Sequence, residues 1–258
     1  MDFQDSAEEA EFRAEANAFL SKHLQPKDGN AIRERGDDFL QRAKDWQKVK
    51  AEGGFAQITW PKEIGGRGGT SMQQVIWNQE ESSFDAPTGP FAIGLGMCVP
   101  TVIAFGSDEH KKRFVGPALL GEEIWCQLFS EPSAGSDVAG LKTKAVKDGD
   151  EWVINGQKVW TTGAQFSDYG IVLTRTNPDV PKHKGLTMFI IDMKQEGVEV
   201  RPIILLEGTH EVNEVWFTDV RVPAENLVGE ENKGWTYAKY LLVHERSGIA
   251  GVGMALAG

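Results

Sequence analysis

Sulfur and imidazole are scarce in this chain: of 258 residues, two are cysteine and five histidine. Cys98 and Cys126 lie in apolar runs without a CxxC spacing, which excludes a disulfide scaffold or a redox pair. They read as buried free thiols of a reducing compartment. His23, His110, His183, His210 and His244 are scattered, with no pair at helical or hairpin spacing, so no metal site is expected. Cations are in deficit, 27 Lys and Arg against 38 Asp and Glu, for a net charge of −11. Without a basic stripe interleaved with aromatics, nucleic acid is not an expected partner. Long apolar runs are missing too. The nearest, 89–106, is broken by glycines and Pro100 and lacks cationic flanks, so it reads as a buried helix and not as a membrane span. The N-terminus, MDFQDSAEEAEFRAEA, is acidic where a signal peptide is basic and then apolar, and a cytoplasmic location is expected.

Several catalytic signatures are also absent. No GxSxG elbow occurs, so a serine esterase has no support. The glycine-rich WPKEIGGRGGTS, 60–71, lacks the Gly-Lys-Ser/Thr ending of a phosphate loop and reads as a connection between helices. Glycines 248, 251, 253 and 258 imitate a dinucleotide fingerprint but follow a helical segment, where that motif needs a strand.

What is present is an ordinary globular composition, 40% hydrophobic and 25% charged, arranged in three stretches. Apolar residues at three- and four-residue spacing predict helices near 5–24, 36–52, 70–84, 91–105 and 108–119. From about 125 to 222 the pattern changes to six to eight short strands. Asp148-Gly149 and Asn155-Gly156 are hairpin-turn dipeptides within it. After Asn232-Lys233-Gly234 the helical period returns, with Trp235, Ala238, Leu241 and Leu242 on one face, and the chain stops inside that helix. The expectation is an α+β protein. A helical domain over 1–124 precedes a small antiparallel β-barrel or sandwich over 125–230. Residues 231–258 then start a C-terminal helical bundle, as in a fragment of a longer protein.

Three segments carry chemistry. FSEPSAGSDVAGLKTKA, from Phe129, crowds hydroxyls and carboxylates into a break after an apolar strand; alone, it reads as a solvated turn. WVINGQKVWTTGAQFSDY and VWFTDVRVPAENLVGEENKG follow at about 20 to 50 residues' distance. In this order they resemble the acyl-CoA dehydrogenase family over essentially the whole chain.

The resemblance implies FAD as cofactor. Gln127, Leu128, Phe129, Ser130, Gly135 and Ser136 fall in the segment that lines the flavin and its pyrophosphate. Ser130 stands at a hydroxyl position where the family often has Thr, and Ser133 where Gly is usual. Fixed N–H and O–H donors there would stabilise the negative charge of a reduced flavin. Gly135 would permit close backbone approach, and Ser136 would bond a phosphate or the acyl-CoA. Trp160, Thr161 and Thr162 match the family's aromatic–X–Thr strand: Trp160 would pack on the ring system and Thr162 donate near N5. The competing account of Trp160 is a core indole in a hairpin, and Trp125, Trp152 and Trp216 read as core or interface.

Removing a proton α to a thioester needs a base, and a carboxylate desolvated beside substrate suits the task. Most of the family carries it late in the C-terminal domain; one subset places it on the first C-terminal helix, directly before an Arg. Glu245-Arg246, in LLVHERSGIAG, matches that position. Its flanks are apolar or small, so the surroundings are expected to be mostly buried. The bland alternative for Glu245 is an exposed helix carboxylate, and for Arg246 an ion pair with a carboxylate in place of a role beside substrate. The partners implied are an acyl-CoA, an electron-transferring flavoprotein, and other subunits in a homotetramer or an α2β2 assembly. An acyl-CoA oxidase and a catalytically silent subunit of a mixed oligomer are the rival functions.

Overall fold

A computed structural model describes residues 5–27 and 38–255. The chain divides into two compact units. One comprises Met1–Pro90, Leu119–Glu122 and the end of the chain from Gly248; the other comprises Phe91–Ala118 and Glu123–Ser247.

Among the described residues the first unit is built on α1 (Ala7–His23), α2 (Phe39–Glu52) and α3 (Ser71–Ser82). Two of them start with reciprocal caps. The Ser6 hydroxyl accepts from the Glu9 amide while the Glu9 carboxylate accepts from the Ser6 amide, and Thr70 and Gln73 repeat the arrangement. Their apolar faces meet in one cluster of Phe12, Ala16, Leu20, Trp46, Ile76 and Trp77, with Phe55, Ile58 and Phe84 from the connections. Residues 36–37 of the second expected helix lie outside the described residues. The glycine-rich 60–71 segment folds back on itself, the amides of Gly68 and Gly69 donating to the carbonyls of Trp60 and Ile58 at 2.8 Å. It is a connection between helices, as its sequence implied.

The second unit opens with helices and closes on a curled sheet. The segment expected as one helix over 91–105 is a π-helical turn, Gly94–Cys98, followed by α4 (Val99–Phe105). Pro100 has no N–H to offer the carbonyl four residues back, and the wider turn is closed by Val99 N–H donating to the Gly94 carbonyl. Helix α5 (Asp108–Leu119) follows.

Seven strands come next: β1 (Trp125–Leu128), β2 (Lys144–Asp148), β3 (Glu151–Thr162), β4 (Tyr169–Arg175), β5 (Leu186–Asp192), β6 (Val198–Ile203) and β7 (Val212–Pro223). β5 covers one edge of β4, and β1 and β2 follow each other along its other edge; β3, β7 and β6 continue the sheet. Pairings are antiparallel except those of β1 and β2 with β4. Curling brings both ends around one core of Cys126, Leu128, Trp152, Ile154, Phe189 and Val220 with their neighbours. Both cysteines are buried and free, and burial pushes the Cys126 thiol up to about 12.

Helix α6 (Gly234–Ala255) leaves the sheet at Gly234, where a Cβ would come within 2.9 Å of the Leu186 carbonyl carbon. Tyr237, Ala238 and Leu241 are buried, and Tyr237 lies 4.5 Å from Phe105, ring centroid to ring centroid. Trp235 and Leu242, expected on the same face, are half-buried.

Asp148-Gly149 does form the β2–β3 hairpin, but Asn155-Gly156 does not turn the chain. It lies inside the continuous strand β3, opposite a bulge of β7, where Thr218 and Asp219 together face Asn155 as the register shifts between Ile154 and Gly156. Asn155 spends its amide across the sheet, donating to the Asp219 carboxylate at 2.9 Å and accepting from the Asp219 amide at 3.0 Å. Gly156 is required because a Cβ would stand 2.7 Å from Thr143 Cα. Among the described residues no helix is long and apolar enough to cross a membrane.

Candidate active site

A bulge in β3 itself, between Lys158 and Thr161, shapes the site. Lys158 and Val159 both turn inward, and the next residue, Trp160, takes a φ of 61° and leaves its side chain 60% exposed. An indole is normally buried, and a bulky residue in the left-handed region is strained. Both departures fall on one residue of the expected flavin strand.

The bulge also joins the two expected flavin segments. With its ladder position disrupted, Val159 N–H donates to the Ser130 carbonyl at 2.9 Å. Lys158, fully buried, donates to the carbonyls of Phe129 (3.0 Å) and Leu173 (2.8 Å) and to the Glu131 carboxylate (2.9 Å). Glu131, 6% exposed, accepts in addition from the amides of Lys142 (2.6 Å) and Thr143 (2.9 Å). Burial pulls the Lys158 ammonium down to about 8 against the attraction of Glu131. Burial also pushes the Glu131 carboxyl up, but the Lys158 charge and the two amide donors outweigh it and hold Glu131 below its usual value.

The expected site residues fall as follows. Leu128 and Phe129 bury their side chains, which leaves only their main chain to face a ligand. Ser130 is half-buried; Gly135, Ser136 and Thr162 are exposed. Thr161 is buried, with no partner for its hydroxyl among the described residues. Gln127, expected to line the flavin, donates from Nε2 to Glu245 Oε2 at 3.2 Å and so ties β1 to α6. Glu245 is half-buried, but its surroundings are less enclosed than its flanks suggested: Arg246 is exposed and Val243 is 59% exposed. The helix turns these neighbours away from the face that carries Tyr237, Ala238 and Leu241.

FAD, the group implied by the resemblance, requires an aromatic face, hydroxyl and amide donors, and room for a backbone approach. Trp160 supplies the face. The hydroxyls of Ser130, Ser136 and Thr162 enter no hydrogen bond among the described residues, and at Gly135 a Cβ would meet nothing within 4 Å. These residues fit the group.

Glu131 and Lys158 were not singled out from the sequence. Their signal was present, since each is a charge embedded in an apolar strand or strand end. It was masked by the turn-like run around Glu131; Lys158 itself keeps the two-residue inward phase of Trp152 and Ile154.

The family model for the acyl-CoA dehydrogenase N-terminal domain matches residues 6–122, and that for the acyl-CoA dehydrogenase middle domain matches residues 126–220. The acyl-CoA dehydrogenase IpdE1 of Mycobacterium tuberculosis is 38% identical over 250 residues, covering 95% of this chain and 65% of its own length. The acyl-CoA dehydrogenase FadE29 of the same organism is 43% identical over 189 residues, covering 73% of this chain and 48% of its own length. Among solved structures, the Tcur3481-Tcur3483 steroid ACAD superposes with a TM-score of 0.80 at 32% identity, over 98% of this chain and 65% of that one. The ChsE4-ChsE5 complex from Mycobacterium tuberculosis gives 0.76 at 31%, over 95% and 61%. The chain thus spans less than two thirds of the length of these relatives. With both domain models matched in order over 6–122 and 126–220, the chain belongs to the acyl-CoA dehydrogenase family.

Proposed function

We propose that this chain carries the flavin site and the base of an FAD-dependent acyl-CoA dehydrogenase, which desaturates an acyl-CoA between its α and β carbons. The observation that supports this most directly is the hydrogen bond from Gln127 to Glu245, because it sets a carboxylate beside the strand leading into the expected flavin segment. FAD, when bound, supplies the acceptor for the β-hydride. Trp160 covers a ring face and keeps water from it. The Ser130 and Thr162 hydroxyls, with those main-chain amides of the 127–136 segment that are not spent within the fold, stabilise negative charge. Glu245 takes the α-proton, made acidic by the thioester, onto its carboxylate, and Gln127 holds that carboxylate in one orientation. Ser136 and Arg246 contact the acyl-CoA.

Branched and steroid-side-chain acyl-CoAs are the substrate class this reading favours, since Glu245-Arg246 matches the subset with an early base and one similar structure is named a steroid ACAD. The electron acceptor is an electron-transferring flavoprotein, and the assembly is a homotetramer or an α2β2 heterotetramer. Two similar structures carry paired names, Tcur3481-Tcur3483 and the ChsE4-ChsE5 complex, which keeps a second reading open: a silent subunit that shapes a mixed oligomer.

Anaerobic rapid mixing of the full-length protein with straight, branched and steroid-side-chain acyl-CoAs, following flavin absorbance, tests both. In Glu245→Gln the reduction step should slow by about 10²–10⁴-fold, with FAD content and acyl-CoA binding retained. Reduction at the wild-type rate would move the base elsewhere. Absence of any reduction in the wild type alone, restored by an unlike subunit, would favour the silent-subunit reading.

A further inference from the structure

The Glu131–Lys158 pair has no role in the chemistry just described, and its burial is costly. An ion pair removed from water is often no more stable than an apolar pair of the same volume, so its retention calls for another account. Its hydrogen bonds supply one, since nearly all of them end on the main chain. Lys158 grips the carbonyls of Phe129 and Leu173, and Glu131 grips the amides of Lys142 and Thr143. The pair therefore connects the end of β1, the start of β2 and the middle of β4 to β3 at the residue before its bulge. On one side of it lies Ser130, and two residues beyond it lies Trp160.

We propose that Glu131 and Lys158 are positioning residues for the cofactor: they clamp the Phe129–Glu131 main chain against the bulged strand and fix where the Ser130 hydroxyl and the Trp160 indole stand. The proposal rests on the flavin reading above. A pure core pair would be replaceable by apolar side chains, because filling the volume is all that a core requires. A clamp is not replaceable in that way, because the directional bonds to carbonyls and amides vanish with the charges. Two clamped segments also pre-set the site before any ligand arrives, which lowers the ordering cost of binding.

The test uses the full-length protein and compares wild type with Glu131→Gln/Lys158→Met. The double variant leaves no unpaired charge and keeps the volume but strips partners from the buried Phe129 and Leu173 carbonyls, so its melting temperature should fall by several degrees while the protein still folds. Its affinity for FAD should fall at least tenfold, with a shifted flavin absorbance and reduction potential. A folded double variant that binds FAD within twofold of wild type, with the same spectrum and potential, overturns the proposal. Amide hydrogen exchange on the wild type supplies a second measurement, needed if the variant does not fold. In FAD-stripped protein the amides of Lys142, Thr143 and Val159 should already be protected. Protection that appears only on adding FAD would show that the cofactor builds the clamp, and would equally overturn it. Wild-type protein that binds no FAD at all would instead remove the flavin reading, a result distinct from either outcome.

Discussion

Trp160 pays twice for its position, once in backbone strain and once in exposed aromatic surface. A non-glycine residue in the left-handed region costs roughly 1–2 kcal/mol, and glycine there avoids most of it while adding about 0.5–1 kcal/mol of chain entropy. Trp160→Gly should therefore leave the melting temperature unchanged or raise it slightly, because an indole already in solvent has little packing to lose. The same variant should retain FAD poorly, as seen in flavin content after gel filtration. A melting temperature lowered by many degrees would show that Trp160 serves the fold. Much of the candidate site at this scale was legible as a list of residue types in the right order. The strain and exposure of Trp160 were not, because they arise from a bulge that no local pattern announces.

At the scale of elements, legibility followed how local the determining contacts are. Helix α5 begins and ends where its acidic start and following Gly121 place it. Asn155-Gly156 misled because the residues that hold it in a straight strand, Thr143 and Asp219, are distant in sequence. The clamp at the meeting of β1, β2, β3 and β4 gives this part of the fold an acid dependence. Glu131 is held below its usual value of 4.5, so in the native state it stays ionised where the unfolded chain has begun to take up a proton. Its contribution is complete above about 4.5 and is lost as the pH falls through the lower native value. Denaturant midpoints measured across that window should drop in wild type, and Glu131→Gln should flatten that part of the drop. An identical acid profile in the variant would mean that other carboxylates set it.

For the molecule as a whole, the described residues hold two separate apolar clusters, one among α1–α3 and their connections and one inside the sheet. A ligand stabilises the structure that binds it, by an amount set by its concentration relative to its dissociation constant. With the candidate flavin residues all in the unit of the sheet, saturating FAD should slow amide exchange in β1, β3 and the segment between β1 and β2. Exchange in α1–α3 should be left unaffected. Equal protection of both clusters, read by mass spectrometry of peptic peptides, would show that the cofactor engages more than these residues. The change from helices to strands near 125 and back to a helix near 231 was open to sequence reasoning because hydrophobic period changes sharply there. The curl of the sheet around one core was not, since it depends on strands far apart in the chain.

The openness of Trp160 also makes it a spectroscopic label. Of the eight tryptophans, the other seven are buried or half-buried, so an aqueous collisional quencher such as acrylamide acts first on this one. Its emission should be the reddest of the set, and the difference between spectra with and without quencher isolates it without any engineering of the chain. Stacked against a yellow ring, the same indole would lose its light by energy transfer. Occupancy could then be followed as a darkening of the protein's own fluorescence.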